Sequence, residues 1–183
     1  MRPCIITVFG SSQSPPGSTC YELAFELGQA IARAGWQLCN GGYGGTMEAA
    51  ALGAASAGGH TIGVTCRVFR RDGPNAHIRQ EIPTFDLWQR LNTLMRLGSG
   101  YVVLPGGSGT LLELAAVWEF TSKSLLKPRR PIVLLGGSWA GVVECILREQ
   151  ARPENVHEAL RVPEACDLLR ENIRERERPM LAK

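Results

Sequence analysis

Tyr101-Val-Val-Leu-Pro-Gly-Gly-Ser-Gly-Thr-Leu-Leu-Glu113 reads as a buried strand that runs through a glycine turn into a helix. Val102, Val103 and Leu104 form a short apolar run, and Pro105 ends regular pairing. Gly106, Gly107 and Gly109 tolerate backbone angles and close approaches that side chains forbid. A helix beginning at Thr110 aims its unbonded N–H groups into that turn, where they suit an anion such as phosphate.

The same unit recurs on either side. Cys4 to Phe9 is an apolar first strand that ends in Gly10-Ser-Ser12. A helix follows, with Thr19-x-x-Glu22 fitting a capping box and apolar residues at helical spacing as far as Ala34-Gly35. Trp36 to Cys39 is a second strand opening into Asn40-Gly-Gly-Tyr-Gly-Gly45. Thr46 to Ala57 is an Ala-rich helix and Thr61 to Thr65 a third strand. Further on, Pro131 to Leu135 is a strand, Trp139 to Arg148 a helix, and Val156 to Val162 an edge strand before a helix from about Pro163. Arg170 to Arg178 alternates charges as a solvated final helix does. Strands alternating with helices of this length predict an α/β fold: a doubly wound parallel sheet with helices on both faces. Ligands of such sheets bind beyond the carboxyl ends of the strands, where the glycine turns lie.

With 183 residues and no linker or low-complexity segment, the chain is expected to form one domain, 1–183. Its 20% charged residues and net charge of +3 are too weakly basic to indicate a nucleic-acid partner. Six scattered cysteines without a C-x-x-C pair read as reduced thiols. No stretch approaches the roughly 18 apolar residues of a membrane helix, and none resembles a signal peptide, so a cytoplasmic location is expected.

Two charged residues stand out. In the predicted helix Asp86 to Leu97, Leu87, Trp88, Leu91, Leu94 and Met95 make an apolar face. Arg90 falls on its flank while Arg96 points away. A partly buried guanidinium at Arg90 requires an anionic partner. Thr110-x-x-Glu113 admits two readings, a capping box or a carboxylate with a chemical role. The helix from Thr110 to Leu125 is apolar on both sides, with Leu111, Leu114, Trp118 and Leu125 opposite Ala116 and Phe120. That pattern fits a helix with one face on the sheet and the other in a subunit contact, or one buried within the chain. Arg67 to Gln80 has no period and carries four arginines, as a solvated loop or a lid would. His60, His77 and His157 lack ligand spacing, so no metal site is expected. Cys39 and Cys66 read as packed thiols. Neither G-x-x-x-x-G-K-[ST] nor a complete G-x-G-x-x-G occurs, which disfavours P-loop and dinucleotide chemistry.

Pro105-Gly-Gly-x-Gly-Thr-x-x-Glu113 matches every fixed position of the P-G-G-x-G-T-x-x-E signature of the LOG family, phosphoribohydrolases once labelled lysine decarboxylases. The resemblance extends to Val8–Ser12, Gly41-Gly-Tyr-Gly-Gly-Thr-Met47, Gly58-Gly59 before Ile62-Gly-Val64, and Arg90 fifteen residues before Pro105, covering roughly residues 4 to 150. It implies a Rossmann-like fold and a homodimer, or a higher homo-oligomer, that takes a nucleoside 5′-monophosphate and hydrolyses its N-glycosidic bond without a cofactor. AMP or an N6-modified AMP is the first candidate. By the same resemblance Arg90 and Glu113 are the catalytic pair, and Gly106, Gly107, Ser108, Gly109 and Thr110 bind phosphate. Gly10, Ser11, Ser12, Gly42, Gly44, Gly45, Thr46 and Met47 admit two readings, plain strand-to-helix turns or, from their common placement, the rest of the nucleotide site. Three positions depart from the pattern: Leu91 replaces the usual lysine, Glu48 a glycine, and Gly98-Ser-Gly100 an acidic residue. The Gly41–Met47 turn is also similar to molybdenum-cofactor carrier proteins, which bind without cleaving.

Overall fold

The computed structural model describes residues 3–177. Seven strands, β1 (Ile5–Phe9), β2 (Gln37–Asn40), β3 (Thr61–Cys66), β4 (Gln80–Thr84), β5 (Gly100–Val103), β6 (Ile132–Leu135) and β7 (Val156–Ala159), make one sheet. The helices are α1 (Thr19–Arg33), α2 (Thr46–Ser56), α3 (Leu87–Leu97), α4 (Ser108–Ser122), α5 (Ala140–Leu147) and α6 (Val162–Glu177). Strand order is β4-β3-β2-β1-β5-β6-β7, and every neighbouring pair is parallel. This is the expected Rossmann-like doubly wound α/β fold.

Alternation along the strands assigns the two faces. Ile6, Val8, Val102 and Leu104 join α1, α2 and α6 in one core, whereas Phe9, Tyr101 and Val103 join α3, α4 and α5 in the other. The Ala-rich composition of α2 has a steric cause. A β-carbon on Gly53 would lie 2.0 Å from the Phe25 carbonyl oxygen, so α1 and α2 meet backbone to backbone.

The chain builds β1 to β4 outward in one direction, then α3 carries it back to β5 on the other side of β1. The crevice between β1 and β5 is therefore the switch point where such sheets bind ligands. Phe9 and Val103 are register partners at its mouth, so the turns after β1 and after β5 leave the sheet side by side. The Ser11 amide donates to the Pro105 carbonyl at 3.2 Å and joins them.

Several boundaries differ from the sequence expectation. Ser18, not Thr19, caps α1 by accepting from the Tyr21 amide. The edge strand β4 has no counterpart in the sequence reading, because Gln80-Glu-Ile-Pro-Thr84 offers Ile82 as its one large apolar residue, and an edge position admits Pro83. Asp86 caps α3 as its sequence suggests, accepting from the Gln89 amide at 2.8 Å. Leu87 and Trp88, expected on the buried face of α3, are 39% and 74% exposed. Helix α4 starts two residues earlier than Thr110 and ends at Ser122, leaving Leu125 exposed beyond it. Its inner face carries Leu114, Val117 and Trp118, while Leu111 and Phe120 are exposed on its outer side. The charged tail helix extends to Glu177, and Arg178 lies outside the described residues.

Candidate functional site

Helix α4 is preceded by the N-cap Gly107, whose residue type supplies no capping side chain, so the first N–H groups of the helix have no side-chain cap. Because the helix starts at Ser108, Thr110 lies inside its first turn, and the capping-box reading of Glu113 falls away. Glu113 instead sits one turn further along with its side chain 13% exposed.

Arg90 reaches Glu113 from α3. Its Nη1 donates to Glu113 Oε1 at 3.3 Å and its Nε to the Val64 carbonyl at 2.9 Å. The helix-phase argument thus places Arg90 in the interior, where it is 7% exposed, and Arg96 at the surface. Two aromatic rings complete its surroundings, with the guanidinium carbon 5.8 Å from the Tyr43 centroid and 5.6 Å from that of Phe69. Burial pushes the Glu113 carboxyl up to about 7, against the lowering effect of Arg90. A carboxyl with that value changes charge near neutral pH, as a general base must.

The pair opens into a cavity of about 450 Å³ between the glycine turns. Of the residues singled out from sequence, Gly10, Ser11, Ser12, Met47, Arg90, Gly107, Ser108, Gly109, Thr110 and Glu113 line it. Gly42, Gly44, Gly45, Thr46 and Gly106 are not among the lining residues. Thr46 holds the turn after β1, its amide and Oγ1 donating to the Ser11 carbonyl at 2.8 and 3.0 Å. Gly45 has φ +67°, and a β-carbon there would stand 2.4 Å from the same carbonyl. Gly106 packs against the Thr110 side chain.

Gln13, Gly41, Tyr43, Phe69 and Arg71 also line the cavity and were not among the sequence-derived site residues. Gly41 and Tyr43 lie within the glycine-rich stretch, which is their signal. Phe69 and Arg71 come from the loop after β3, where the concentration of arginines at a strand's carboxyl end was the available hint. A smaller cavity of about 260 Å³ borders the other side of Arg90 and Glu113, walled by Phe69, Leu87, Leu91 and Leu112.

Cys39 and Cys66 are buried, and burial pushes the Cys39 thiol up to about 12, the opposite of what a nucleophile requires. Among the described residues, no three His, Cys, Asp or Glu side chains gather as a metal site would require. No helix among them is long and apolar enough to cross a membrane.

Two curated relatives are cytokinin riboside 5′-monophosphate phosphoribohydrolases. The one from Mycobacterium tuberculosis is 36% identical over 124 residues, spanning 67% of this chain and 65% of the relative. That from Mycobacterium marinum is 34% identical over 107 residues, spanning 57% of each. The chain thus spans less than two thirds of either relative's length. Among solved structures, the molybdenum cofactor binding protein from the phototrophic bacterium Rippkaea orientalis superposes with a TM-score of 0.76 at 28% identity, covering 94% of this chain and 99% of that one. Residues 3–166 match the SLOG cluster4 family, and with the phosphoribohydrolase relatives this makes the chain a member of the LOG family that its Pro105–Glu113 motif resembles.

Proposed function

We propose that the protein is a nucleoside 5′-monophosphate phosphoribohydrolase, cleaving the N-glycosidic bond to free base and ribose 5-phosphate. The observation that carries this reading is the buried Arg90–Glu113 pair in the same cavity as the uncapped N-terminus of α4. The phosphate sits at Gly107–Thr110, with Gly106 shaping the turn and Gly10–Ser12 opposite; Gly42, Gly44, Gly45 and Thr46 hold those walls in place, and Met47 contributes to the lining. The helix terminus favours an anion by roughly 0.3–1 kcal/mol, rising to about 2 when partly buried.

Breaking the bond between C1′ and the base nitrogen sends its electron pair to the base and leaves positive charge on the ribose. Glu113 as a carboxylate opposes that charge and takes a proton from the water that attacks C1′. The proton that Glu113 takes from the water passes on to the departing base nitrogen, which restores the carboxylate and leaves the neutral base and ribose 5-phosphate as products. Arg90, held by Val64 and Glu113, fixes phosphate or hydroxyl oxygens through its remaining N–H groups.

AMP and N6-modified AMP are the first substrates to test; the apolar wall of Leu87, Leu91 and Leu112 beside Glu113 favours a base with an apolar substituent. The six free cysteines fit a cytoplasmic setting. The exposed Trp88 of α3 and the exposed outer face of α4 fit a homodimer contact. Incubation with a panel of nucleoside monophosphates, followed by chromatography, should show free base. No base from any member of the panel removes the hydrolase reading.

The likeness to a molybdenum cofactor binding protein over 94% of this chain favours a second reading, a carrier that holds its ligand at the same turn without cleaving it. Glu113→Gln separates the two. A hydrolase loses turnover by about 10²–10⁴-fold and keeps its ligand, whereas a carrier has no turnover to lose.

A further inference from the structure

The Arg67–Gln80 segment is fastened to the glycine-rich turn after β2. The Asn75 amide donates to the Gly42 carbonyl at 2.7 Å, and Asn75 Nδ2 donates to the carbonyls of Gly42 and Tyr43 at 3.1 and 2.8 Å. Tyr43 is fixed in turn, its hydroxyl accepting from the Cys66 amide at 2.7 Å and donating to the Cys66 carbonyl at 3.2 Å. Phe69 packs edge-on against Tyr43 at 5.9 Å, and the Arg71 guanidinium lies 5.0 Å from the same ring centre. The loop thereby brings Phe69 and Arg71 into the wall of the cavity that also contains Ser108–Thr110 and Glu113.

The charges in that wall are unequal. Arg90 is already engaged by Glu113 at 3.3 Å. Arg71 has no carboxylate within ion-pair distance among the described residues, and its guanidinium rests beside the Tyr43 ring in the cavity wall. A phosphate monoester carries about −1.5 to −2 charges at neutral pH, and a helix terminus offers the equivalent of only about +0.5. The cavity therefore contains an anion seat short of positive charge and a cation short of an anion.

We infer that Arg71 binds the phosphate end of the ligand, closing the anion seat of α4 from the opposite loop. The assignment deepens the proposed nucleotide site and rests on that reading. Its guanidinium, already placed in the cavity wall beside the Tyr43 ring, supplies the second cation, so the Arg90–Glu113 pair stays intact when phosphate binds.

The test measures dissociation constants of AMP, adenosine and inorganic phosphate for the wild type, Arg71→Ala and Arg79→Ala, the last a nearby loop arginine absent from the cavity lining. Loss of a charge-assisted bond should weaken AMP and phosphate by about tenfold to a hundredfold in Arg71→Ala, with adenosine changed by less than about twofold and Arg79→Ala resembling the wild type. Equal weakening of AMP and adenosine, or of AMP in both variants, overturns the assignment, as does an unchanged Arg71→Ala. If Arg71→Ala shows the expected loss while the wild type releases no base from bound AMP, the assignment stands and the hydrolase reading falls. If the wild type turns over and Arg71→Ala matches it in both KM and phosphate affinity, only the assignment fails. A wild type that binds neither AMP nor phosphate overturns both.

Discussion

A β-carbon placed on Gly41 would lie 1.8 Å from Nη2 of Arg90 and 2.7 Å from Sδ of Met47. The side chain of Arg90 thus passes through space that exists because position 41 has none. The same guanidinium is tied to Val64 and Glu113, so it cannot yield without breaking one of those bonds.

Gly41→Ala should therefore act as a remote disruption of the Arg90–Glu113 pair. The φ of Gly41 lies outside the left-handed range, so alanine introduces a clash rather than backbone strain. Overpacking of this kind costs about 1–3 kcal/mol. Base release should fall at least about tenfold, since small misplacements of a positioned group are strongly felt in catalysis, while circular dichroism keeps the wild-type spectrum. A fully active Gly41→Ala would show that Arg90 need not occupy this position.

The raised carboxyl of Glu113 sets the expected pH profile. With a value of about 7 and the carboxylate as the active form, kcat/KM should rise with pH, reach half its limit near pH 7 and flatten above it. The measurement is initial rates of base release from AMP across pH 5 to 9. A profile that falls through pH 7 would assign Glu113 the role of proton donor instead.

Much of this geometry is visible in the sequence, and the exceptions share a cause. Arg90 was recognisable as an interior arginine because helix phase is a local property, and the Tyr101–Glu113 stretch because strand, glycine turn and helix each carry their own residue signature. The first turn of α4 leaves two readings open in the sequence because Thr110 and Glu113 have capping-box spacing, and only the helix start at Ser108 decides between them. Strand β4 was hidden by Pro83 and by its position at the sheet edge. Phe69 and Arg71 reach the cavity through hydrogen bonds from Asn75 to a turn 33 residues away, a long-range contact that no periodicity encodes.

The same carboxyl makes a separate statement about stability. Its folded value of about 7 lies above its ordinary value of 4.5, so between those values the folded protein holds a proton that the unfolded chain has released. Stability contributed by that proton is present below pH 4.5 and is lost as pH rises through about 7, amounting to about 3 kcal/mol in all. Glu113→Gln has no proton to lose. Thermal denaturation at pH 5 and pH 8 should show the variant gaining on the wild type at the higher pH. An identical pH dependence for the two proteins would place the carboxyl at its ordinary value.

Trp88 is 74% exposed on α3, next to an exposed Phe85 and to Leu87, which shares the smaller cavity with Leu112 of α4. An exposed apolar area of this kind on two adjoining helices is costly to leave in water and suits a second copy of the chain. Sedimentation of the wild type should give twice 19.9 kDa, and Trp88→Glu should give 19.9 kDa. A side chain so exposed contributes little to the fold of its own chain, so the variant should retain its helical content. If Trp88→Glu sediments as the wild type does, this face is not the subunit contact, and the exposed side of α4 around Leu111 and Phe120 becomes the surface to alter next.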